Sequence, residues 1–396
     1  MPSEAKIQTA QKYLQEEGVD GWLLYDFQGL NPFARQFLDL EGAGLVSRRY
    51  FYWIPARGAP RKLLHVIEPH TLDGLPGESA FYLKWSELES GLADLLRGAR
   101  KVAMEYSPRA ALPYISKVDG GMIDLVRGFG VEVVSSASFL QYFTCVLSDA
   151  QLELHIAAGQ FLDHTAAKTW EKISHALKTG SKLTEYDVRM FIAGEFEKHH
   201  FEAEHLPICA VNAHSADPHF EPKKEESRPI QRGDFILIDL WCKKSQPGAV
   251  YGDITRVGVA DTQPTARQKE IFQIVRRAQK ACTDHIQTRY SRGELTRGCD
   301  ADQVCRKVIE QAGYGQYFTH RTGHNIYTKD HGPGAHLDNL ETIDSRSLIP
   351  STCFSVEPGI YLPGEFGIRL EYDLFLAKQG ETLITGGVQE EIVTLF

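Results

Sequence analysis

The sequence predicts two domains: an α/β N-terminal domain and an α+β domain that contains an internal pseudo-twofold duplication. Three observations predict this architecture. The length of 396 residues suits two or three domains of about 100–200 residues each. Residues 1–147 alternate helical and strand-like segments. In residues 148–396, two helices followed by a pair of strands with carboxylates occur twice.

Charge and composition argue against several classes of function. The formal net charge is −9, which argues against nucleic acid or an anionic membrane as a partner. The N-terminus has no basic region followed by an apolar run, and no apolar stretch reaches the about 18 residues that span a bilayer. The seven cysteines form no C-x-x-C pair and predict reduced thiols. We therefore expect a soluble, cytoplasmic protein that binds neither nucleic acid nor membranes.

The N-terminal domain is predicted to contain a mixed sheet. A polar amphipathic stretch at 4–17 predicts a helix that leads into the first strand. Apolar runs rich in aromatic and branched residues predict strands at 21–25, 50–54, 62–67 and 101–105. The domain contains no glycine-rich phosphate loop and no cluster of catalytic residue types. We therefore look for the chemistry in the second domain.

Capping boxes predict where the helices of the second domain begin. In such a box the first side chain accepts a hydrogen bond from the third residue after it, whose side chain reciprocates. Four segments fit this pattern: Ser148-Asp-Ala-Gln151, Thr184-Glu-Tyr-Asp187, Thr265-Ala-Arg-Gln268 and Asp300-Ala-Asp-Gln303. The first, second and fourth helices are predicted to end near residues 178, 199 and 313.

Each pair of helices is followed by a predicted pair of strands, at 235–241 and 252–260 and then at 353–357 and 366–377. Four acids occupy matching positions in these segments. Asp239 and Asp253 are 14 residues apart, as are Glu357 and Glu371, and each member of the second pair follows its counterpart by 118 residues. Acids are rarely buried unless they are paired or bind a metal. The duplication therefore predicts that the four acids meet at one cationic centre. A dinuclear metal site is the candidate for this centre.

Nearby arginines offer a simpler explanation for single acids. Arg369 and Glu371 are two apart on a predicted strand and should face the same side, as an ordinary ion pair would. Arg256 could neutralise Asp253 in the same way. The four acids together outnumber these cations, which favours a metal site.

Histidines lie between the two pairs of acids, in a glycine-rich stretch. They are His320, His324, His331 and His336, and two others, His214 and His219, precede the first pair. A single histidine is more often structural than a ligand, but this cluster favours a site. Four carboxylates and one imidazole suit Mn²⁺, Co²⁺, Fe²⁺ or Zn²⁺, and two divalent ions balance four negative charges. Two such ions can activate a water molecule for hydrolysis without a covalent intermediate.

In the order of its motifs, the chain resembles the M24 metallopeptidases of the pita-bread fold. The motifs are Asp239, Gly252-Asp253-Ile-Thr-Arg, Thr322-Gly-His324, His331, Val356-Glu357-Pro-Gly and Gly367-x-Arg369-x-Glu371. That family includes methionine aminopeptidases, aminopeptidase P, prolidase and creatinase. The N-terminal region, notably Gly18-Val-Asp-Gly-Trp-Leu-Leu, resembles the creatinase-type N-domain. Because most methionine aminopeptidases lack that domain, the resemblance implies the Xaa-Pro peptidase branch.

The resemblance implies a set of metal ligands. Asp239 would chelate one ion, and His324 with Glu357 would hold the other. Asp253 and Glu371 would bridge the two ions. A water or hydroxide between them would attack the scissile carbonyl, and Glu357 would manage its proton. Manganese is the expected metal, with cobalt, zinc and iron as alternatives, and the resemblance also implies a homodimer.

The resemblance further implies residues that contact the substrate. His331 would stabilise the tetrahedral intermediate, and His219, in Pro218-His-Phe, would face the substrate. Arg369 would orient the groups that hold the metal ions. A dipeptidase also needs a cation for the product-side carboxylate, and Arg321 is the candidate.

The chain departs from the family's pattern around the ligands. Residues other than glycine stand at or near places where the family often has glycine: Arg321, Asn325 and Tyr327. Gly332 replaces the acid that commonly follows the second histidine, and Tyr372 replaces the usual acid or amide after the last ligand. The spacing from Asp239 to Asp253 is longer than usual and implies an enlarged hairpin through 243–248, at the rim of the site.

These observations predict a two-metal exopeptidase that cleaves the Xaa-Pro bond at the N-terminus of peptides or in dipeptides. One alternative is a metal-dependent hydrolase or lyase of a small non-peptide substrate, because fold does not fix function. Another is a non-catalytic module that binds peptide or protein. The intact ligand set argues against this second alternative and against a metal-free, creatinase-like reaction.

Overall fold

The computed structural model describes residues 4–40, 42, 44 and 46–396. The chain divides into two compact units, Met1–Thr144 and Cys145–Phe396, whereas the sequence placed the boundary after residue 147. No helix among the described residues has the length and apolar character needed to cross a bilayer. All seven cysteines are buried free thiols.

The first unit is built on a mixed sheet of six strands, which confirms the predicted α/β class. Its strands are β1 (Gly21–Asp26), β2 (Tyr50–Pro55), β3 (Arg61–His65), β4 (Glu78–Tyr82), β5 (Lys101–Met104) and β6 (Glu132–Ser135). Their order is β4-β3-β2-β1-β5-β6, with β2 antiparallel to both of its neighbours and the other pairs parallel. Its α-helices are α1 (Glu4–Glu16), α2 (Pro32–Phe37), α3 (Trp85–Leu95), α4 (Gly120–Gly128) and α5 (Ala137–Thr144).

Both faces of this sheet are covered, as the central strand shows. Trp22 and Leu24 belong to one buried apolar cluster, whereas Leu23 and Tyr25 belong to another. Successive residues of a strand point to opposite faces, so a strand buried on both faces has a continuous apolar sequence. That continuity made β1 predictable. The sequence missed β4, which is mostly exposed at the edge of the sheet, and the short β6.

The second unit begins with helices where the capping boxes predict them. Its α-helices are α6 (Asp149–Thr179), α7 (Glu185–Lys198), α8 (Ala266–Tyr290) and α9 (Gly298–Gln311). The boxes at Ser148, Thr184 and Thr265 are confirmed, and α6 ends at Gly180 with a left-handed φ of 71°. These caps supply partners for the first backbone N–H groups of each helix, which the helix itself leaves unbonded.

The predicted cap at Asp300 is wrong, because α9 already begins at Gly298. Backbone carbonyl groups take the place of a capping side chain: Gly298 N donates to Arg346 O at 3.0 Å, and Cys299 N donates to Asp344 O at 2.9 Å. Gly298 also packs so closely on His336 that a Cβ atom would lie 1.8 Å from its carbonyl oxygen. A tertiary contact therefore sets this helix start.

The strands of the second unit form two hairpins that carry the acids. In chain order they are β7 (Phe201–Glu202), β8 (Ile208–Val211), β9 (Phe235–Lys244), β10 (Gly252–Val259), β11 (Asn325–Ile326), β12 (Cys353–Val356), β13 (Gly359–Leu362), β14 (Phe366–Arg369), β15 (Tyr372–Leu376), β16 (Thr382–Thr385) and β17 (Val393–Thr394). Antiparallel pairing joins β9 to β10 in the first half and β12 to β15 in the second. The two halves meet where Asp253 N donates to Asp373 Oδ2 at 2.9 Å.

Strand periodicity decides which side of the first hairpin carries the acids. On β9, Ile236 and Ile238 lie in an apolar cluster with α6 and α7, whereas Phe235 and Leu237 lie in a cluster with α8 and α9. Asp239 follows Leu237 by two residues and therefore lies on the side of the second half. The same alternation places Asp253 and Thr255 with Val257 on that side.

The second hairpin is interrupted at its two acids, so the continuous strand predicted at 366–377 is wrong. The pairings Val356↔Tyr372 and Gly359↔Arg369 share one register, but Glu357-Pro358 and Leu370-Glu371 lie between the strands. Proline cannot donate to the ladder. The Gln279 amide of α8 instead donates to Val356 O at 2.8 Å and to Leu370 O at 2.9 Å. The break thus keeps its buried carbonyl groups bonded while it turns Glu357 and Glu371 inward.

Candidate active site

The structure brings the five predicted metal ligands together. His324 Nε2 lies 3.6 Å from Asp253 Oδ2 and 3.5 Å from Glu357 Oε1. Asp253, His324 and Glu371 each offer a ligand atom, and these three atoms lie within 4.8 Å of one another. Asp239 joins the group through Thr255, whose Oγ1 is 3.0 Å from Asp239 Oδ1 and 2.6 Å from Glu371 Oε2. Both halves of the unit therefore contribute to one cluster.

Arg369 lies behind this cluster, where it contacts several acids. Its guanidinium forms an ion pair with Asp239, and its Nε donates to Thr255 Oγ1 at 2.9 Å. Nε is also 4.0 Å from one oxygen each of Glu357 and Glu371. One guanidinium cannot neutralise four carboxylates.

In the part of the chain that the structure describes, Arg256 contacts groups other than the Asp253 carboxylate. It donates to the backbone carbonyl oxygen of Glu371 at 2.7 Å and to that of Gly387 at 2.9 Å. Its ion-pair partner is Asp163, at 3.5 Å. The simple pairing of Arg256 with Asp253 is therefore wrong, and the acid cluster keeps an excess of negative charge.

Burial and mutual repulsion disfavour the ionised form of these acids. Burial and the neighbouring Glu371 raise the pKa of Asp253 well above its usual range, and burial and Glu357 do the same for the pKa of Glu371. Burial raises the pKa of Glu357 to about 7, although Arg369 opposes the shift. Carboxyl groups held this closely need protons or cations.

The cluster fits divalent metal ions. Asp253 Oδ1 is buried without a hydrogen-bond partner, which is costly unless the oxygen has a ligand. The donors are carboxylate oxygens and one imidazole, a set that suits Mn²⁺, Co²⁺, Fe²⁺ or Zn²⁺. Asp239, Asp253, His324, Glu357 and Glu371 would hold the ions.

His324 presents its Nε2 atom to this centre. The backbone N–H of His324 donates to Ser355 Oγ at 3.0 Å, and His324 Nδ1 lies 3.5 Å from the carbonyl oxygen of Asn325. A carbonyl oxygen only accepts, so Nδ1 carries the proton and Nε2 keeps a lone pair. Burial and the neighbouring His331 lower the pKa of His324 well below its usual range, which also keeps the imidazole neutral.

His331 and Arg321 lie beside the cluster. The His331 ring packs against His324 with centroids 4.0 Å apart and ring planes tilted by 41°, and its Nδ1 is 3.2 Å from Arg321 Nη2. Arg321 is buried. Burial, Arg321 and His219 lower the pKa of His331 to about 4, so its imidazole is neutral near pH 7. His219 is an exposed residue whose backbone N–H donates to Asp217 Oδ1 at 3.0 Å.

The sequence did not single out Asp330, which the structure places beside His331. Its Oδ2 lies 3.7 Å from His331 Nε2, and its Oδ1 is buried without a hydrogen-bond partner. Burial and the nearby Asp239 raise the pKa of Asp330 to about 8. Together with His324 and His331 it forms a second group of side chains that could hold a metal ion. Its place directly before His331 was the available signal.

His320 and Tyr361 form a chain of hydrogen bonds that the sequence also missed. His320 Nδ1 lies 2.7 Å from Arg321 O, and its Nε2 lies 2.7 Å from the Tyr361 hydroxyl, which accepts from Arg369 Nη1 at 3.1 Å. The carbonyl group only accepts and the guanidinium only donates, so the direction of every bond is fixed. This chain connects Arg369 to the segment that carries His324.

Two other histidines that the sequence analysis named make contacts with other protein groups. His214 Nδ1 lies 2.8 Å from Oε1 of the buried Glu185, and its ring stacks on Phe220. His336 is buried, and its Nδ1 accepts from Asn325 N at 3.0 Å. His336 thus supports the strand that follows His324.

The departures at Asn325, Tyr327 and Gly332 form one packing arrangement. A Cβ atom on Gly332 would lie 2.3 Å from Asn325 Oδ1 and 2.9 Å from Tyr327 Cβ. The larger side chains at 325 and 327 therefore occupy the space that a side chain at 332 would need. The remaining departure, Tyr372, directs its hydroxyl to Thr283 of α8, at 2.7 Å.

The enlarged hairpin adjoins the segment that precedes Asp330. Lys243 Nζ donates to Thr328 O at 2.9 Å and lies over the ring of Tyr251. Its position at the rim of the site stays a prediction.

The geometry is that of a carboxylate-rich centre for divalent ions, and comparison with known proteins gives the family. Residues 156–378 match the family model described as metallopeptidase family M24. This match covers more than half of the chain, so the chain belongs to metallopeptidase family M24. Its second unit has the pita-bread fold of that family, which confirms the predicted fold class.

Relatives by sequence include an Xaa-Pro dipeptidase of Pyrococcus horikoshii, 29% identical over 251 residues that cover 62% of this chain and 64% of the relative. A probable dipeptidase PepE of Mycobacterium tuberculosis is 26% identical over 353 residues, which cover 86% and 84%. The chain spans 61–64% of the length of the first curated relatives it matches, less than two thirds.

Solved structures establish the fold over the whole chain. Dipeptidase PepE from Mycobacterium ulcerans has a TM-score of 0.69 at 23% identity, with 99% of this chain and 97% of that one covered. The prolidase from Pyrococcus horikoshii has a TM-score of 0.61 at 20% identity, with 98% and 100% covered. Both likenesses include the N-terminal unit.

Proposed function

We propose that this protein is a two-metal exopeptidase that cleaves Xaa-Pro bonds, in dipeptides or at the N-terminus of longer peptides. The observation that carries the proposal is the convergence of His324 and four carboxylates from both halves of the second unit, three of them buried and Glu357 partly buried. The names of the relatives support the substrate class, since they include Xaa-Pro dipeptidases. A homodimer and a cytoplasmic location stay predictions.

The five ligands divide between two ions in the proposal. Asp239 would hold one ion, His324 with Glu357 would hold the other, and Asp253 and Glu371 would contribute to holding both. Manganese is the expected metal, and cobalt, zinc and iron are alternatives that the same donors suit. When bound, such ions polarise a carbonyl group and make a water molecule nucleophilic near neutral pH.

The protein's own residues then manage protons and orient groups. We assign Glu357 as the group that accepts the proton of the attacking water, and Ser355 Oγ, 3.2 Å from Glu357 Oε1, orients its carboxylate. His331 and His219 contact the substrate, and His331 donates to the oxygen that gains charge. Arg369 holds Asp239 and Thr255 in place.

Hydrolysis of paired substrates tests this proposal. The Mn²⁺-loaded protein is expected to cleave Ala-Pro, Ala-Pro-Ala or both, measured by release of alanine. Cleavage of the dipeptide alone defines a dipeptidase, whereas cleavage of the longer peptide defines an aminopeptidase. Silence on both substrates, with two ions bound, contradicts the proposal and favours a small non-peptide substrate; absence of bound metal favours a binding module.

Arg321 is proposed to receive the carboxylate of a dipeptide substrate. Arg321→Ala is therefore expected to raise KM for Ala-Pro by roughly 10–100-fold, because a charge-assisted hydrogen bond contributes about 1.5–3 kcal/mol. KM for Ala-Pro-Ala should change much less, since its carboxylate lies one residue further away. Equal changes in KM for the two substrates would contradict this role.

A further inference from the structure

The contact between Arg321 and His331 determines which ring nitrogen of His331 carries a proton. Arg321 Nη2 lies 3.2 Å from His331 Nδ1. A guanidinium has N–H donors and no acceptor, and it stays charged at any physiological pH. His331 Nδ1 must therefore be the acceptor. A neutral imidazole whose Nδ1 accepts a hydrogen bond carries its proton on Nε2.

We propose that Arg321 is a positioning residue that fixes His331 as the Nε2–H tautomer. His331 is then a hydrogen-bond donor toward the substrate and not a metal ligand, because a protonated Nε2 has no lone pair for an ion. The contact with substrate rests on the proposed function, whereas the assignment of the tautomer does not.

The surroundings of His331 agree with a donor that faces an open site. Its side chain is 53% exposed, and Asp330 Oδ2 is 3.7 Å from Nε2. The centroid of its ring lies 4.0 Å from that of the His324 ring, so the imidazole lies next to the proposed centre. Among the residues that the structure describes, two groups of three side chains could hold a metal ion, and His331 belongs to one of them. The tautomer favours the other group, formed by Asp253, His324 and Glu371.

His320 provides an internal reference with the opposite tautomer. Its Nδ1 donates to the carbonyl oxygen of Arg321, so its Nε2 accepts from Tyr361. This arrangement uses the backbone of Arg321 and not its guanidinium. A substitution of the Arg321 side chain should therefore leave the tautomer of His320 unchanged.

Nitrogen NMR tests the inference directly. The full-length chain, labelled with ¹⁵N-histidine and loaded with diamagnetic Zn²⁺, gives long-range ¹H–¹⁵N spectra that distinguish the two tautomers. His331→Asn and His320→Asn assign the signals. Arg321→Lys retains a group that only donates, and Arg321→Met retains similar bulk without a donor. Each variant is also assayed with Ala-Pro and Ala-Pro-Ala.

We expect Nε2–H for His331 and Nδ1–H for His320 in the unchanged protein. Arg321→Lys should retain Nε2–H at His331, because an ammonium group can only donate to Nδ1. Arg321→Met should give a mixture of tautomers while His320 stays the same. In an even mixture of tautomers, about half of the His331 rings carry the Nε2 proton that donates to the substrate. Arg321→Met should therefore lower kcat on both substrates by about twofold, and Arg321→Lys by less.

Three results overturn the inference: Nδ1–H at His331 in the unchanged protein, an unchanged tautomer in a folded Arg321→Met, or a lost Nε2–H in Arg321→Lys. Unchanged His320 signals report that Arg321→Met is folded. The first and third results do not depend on the folding of that variant. If the unchanged protein cleaves no Xaa-Pro substrate, the proposed function fails, while the spectra still decide the tautomer. The separate role of Arg321 in binding the dipeptide carboxylate is measured by KM. A rise in KM for Ala-Pro alone indicates that role.

Discussion

Asp253→Asn is expected to reduce the bound metal from two ions per chain to one or none, and to lower Xaa-Pro hydrolysis by roughly 10³-fold or more. Asp253 is buried, one of its oxygens has no protein partner, and the other lies 3.6 Å from His324 Nε2. Asparagine retains the shape but loses the charge, so it cannot contact two cations as a bridging carboxylate does. Several kcal/mol of stabilisation by the ions correspond to at least this change in rate.

Metal analysis by mass spectrometry, together with the rate of Ala-Pro cleavage, measures the effect. Asp261→Asn is the matched control, because Asp261 follows the same strand β10 but pairs with Arg232 at 3.5 Å outside the cluster. The control should retain both ions and its activity. Two tightly bound ions in Asp253→Asn, with an unchanged rate, would show that Asp253 is not a ligand.

The second large effect is a dependence of stability on pH that disappears when metal binds. Burial raises the pKa of Glu357 to about 7 and, with Asp239, that of Asp330 to about 8. In the unfolded chain these carboxyl groups release their protons near pH 4. Between about pH 4 and these higher pKa values, the folded protein therefore binds more protons than the unfolded chain. The free energy of unfolding must then fall as pH rises. This stabilisation is complete below pH 4 and is lost as pH rises through about 7 and 8.

The melting temperature of the metal-free protein should therefore fall between pH 5 and pH 8. Divalent ions replace the proton of Glu357, and their positive charge also favours the ionised form of the nearby Asp330, so the loaded protein should not show the fall. At a metal concentration about 100 times Kd, binding adds about 2.7 kcal/mol, or about 5–10 °C in melting temperature for a unit of this size. Calorimetry of both forms checks this, with Asp261→Asn as a control that keeps the slope. Parallel pH curves for the two forms would refute the proposed link between acids and ions.

The ligand set was predictable because its signals are local. Asp239 continues the alternation of apolar residues in β9, and the spacing of the acids is repeated in the second half. Capping boxes likewise act within four residues, which explains the correct starts of α6, α7 and α8. The resemblance of these motifs to the M24 family predicted the pita-bread fold for the same residues.

The remainder depends on segments that approach each other only in the folded chain. Gln279 of α8 bonds two carbonyl groups at the break in the second hairpin, and no local pattern announces that contact. The start of α9 is set by carbonyl groups of Asp344 and Arg346, which lie far along the sequence. The contact of Arg321 with His331 and the approach of Asp330 to the acids have the same origin. Packing, rather than propensity, places these groups.

Anomalous diffraction from crystals of the Mn²⁺-loaded protein tests the central claim most directly. The account predicts two manganese peaks, both within bonding distance of Asp253 and Glu371, with Asp239 on one and His324 with Glu357 on the other. His331 should lie outside bonding distance of either peak. A single ion, or an ion held by His331 and Asp330, would contradict the account.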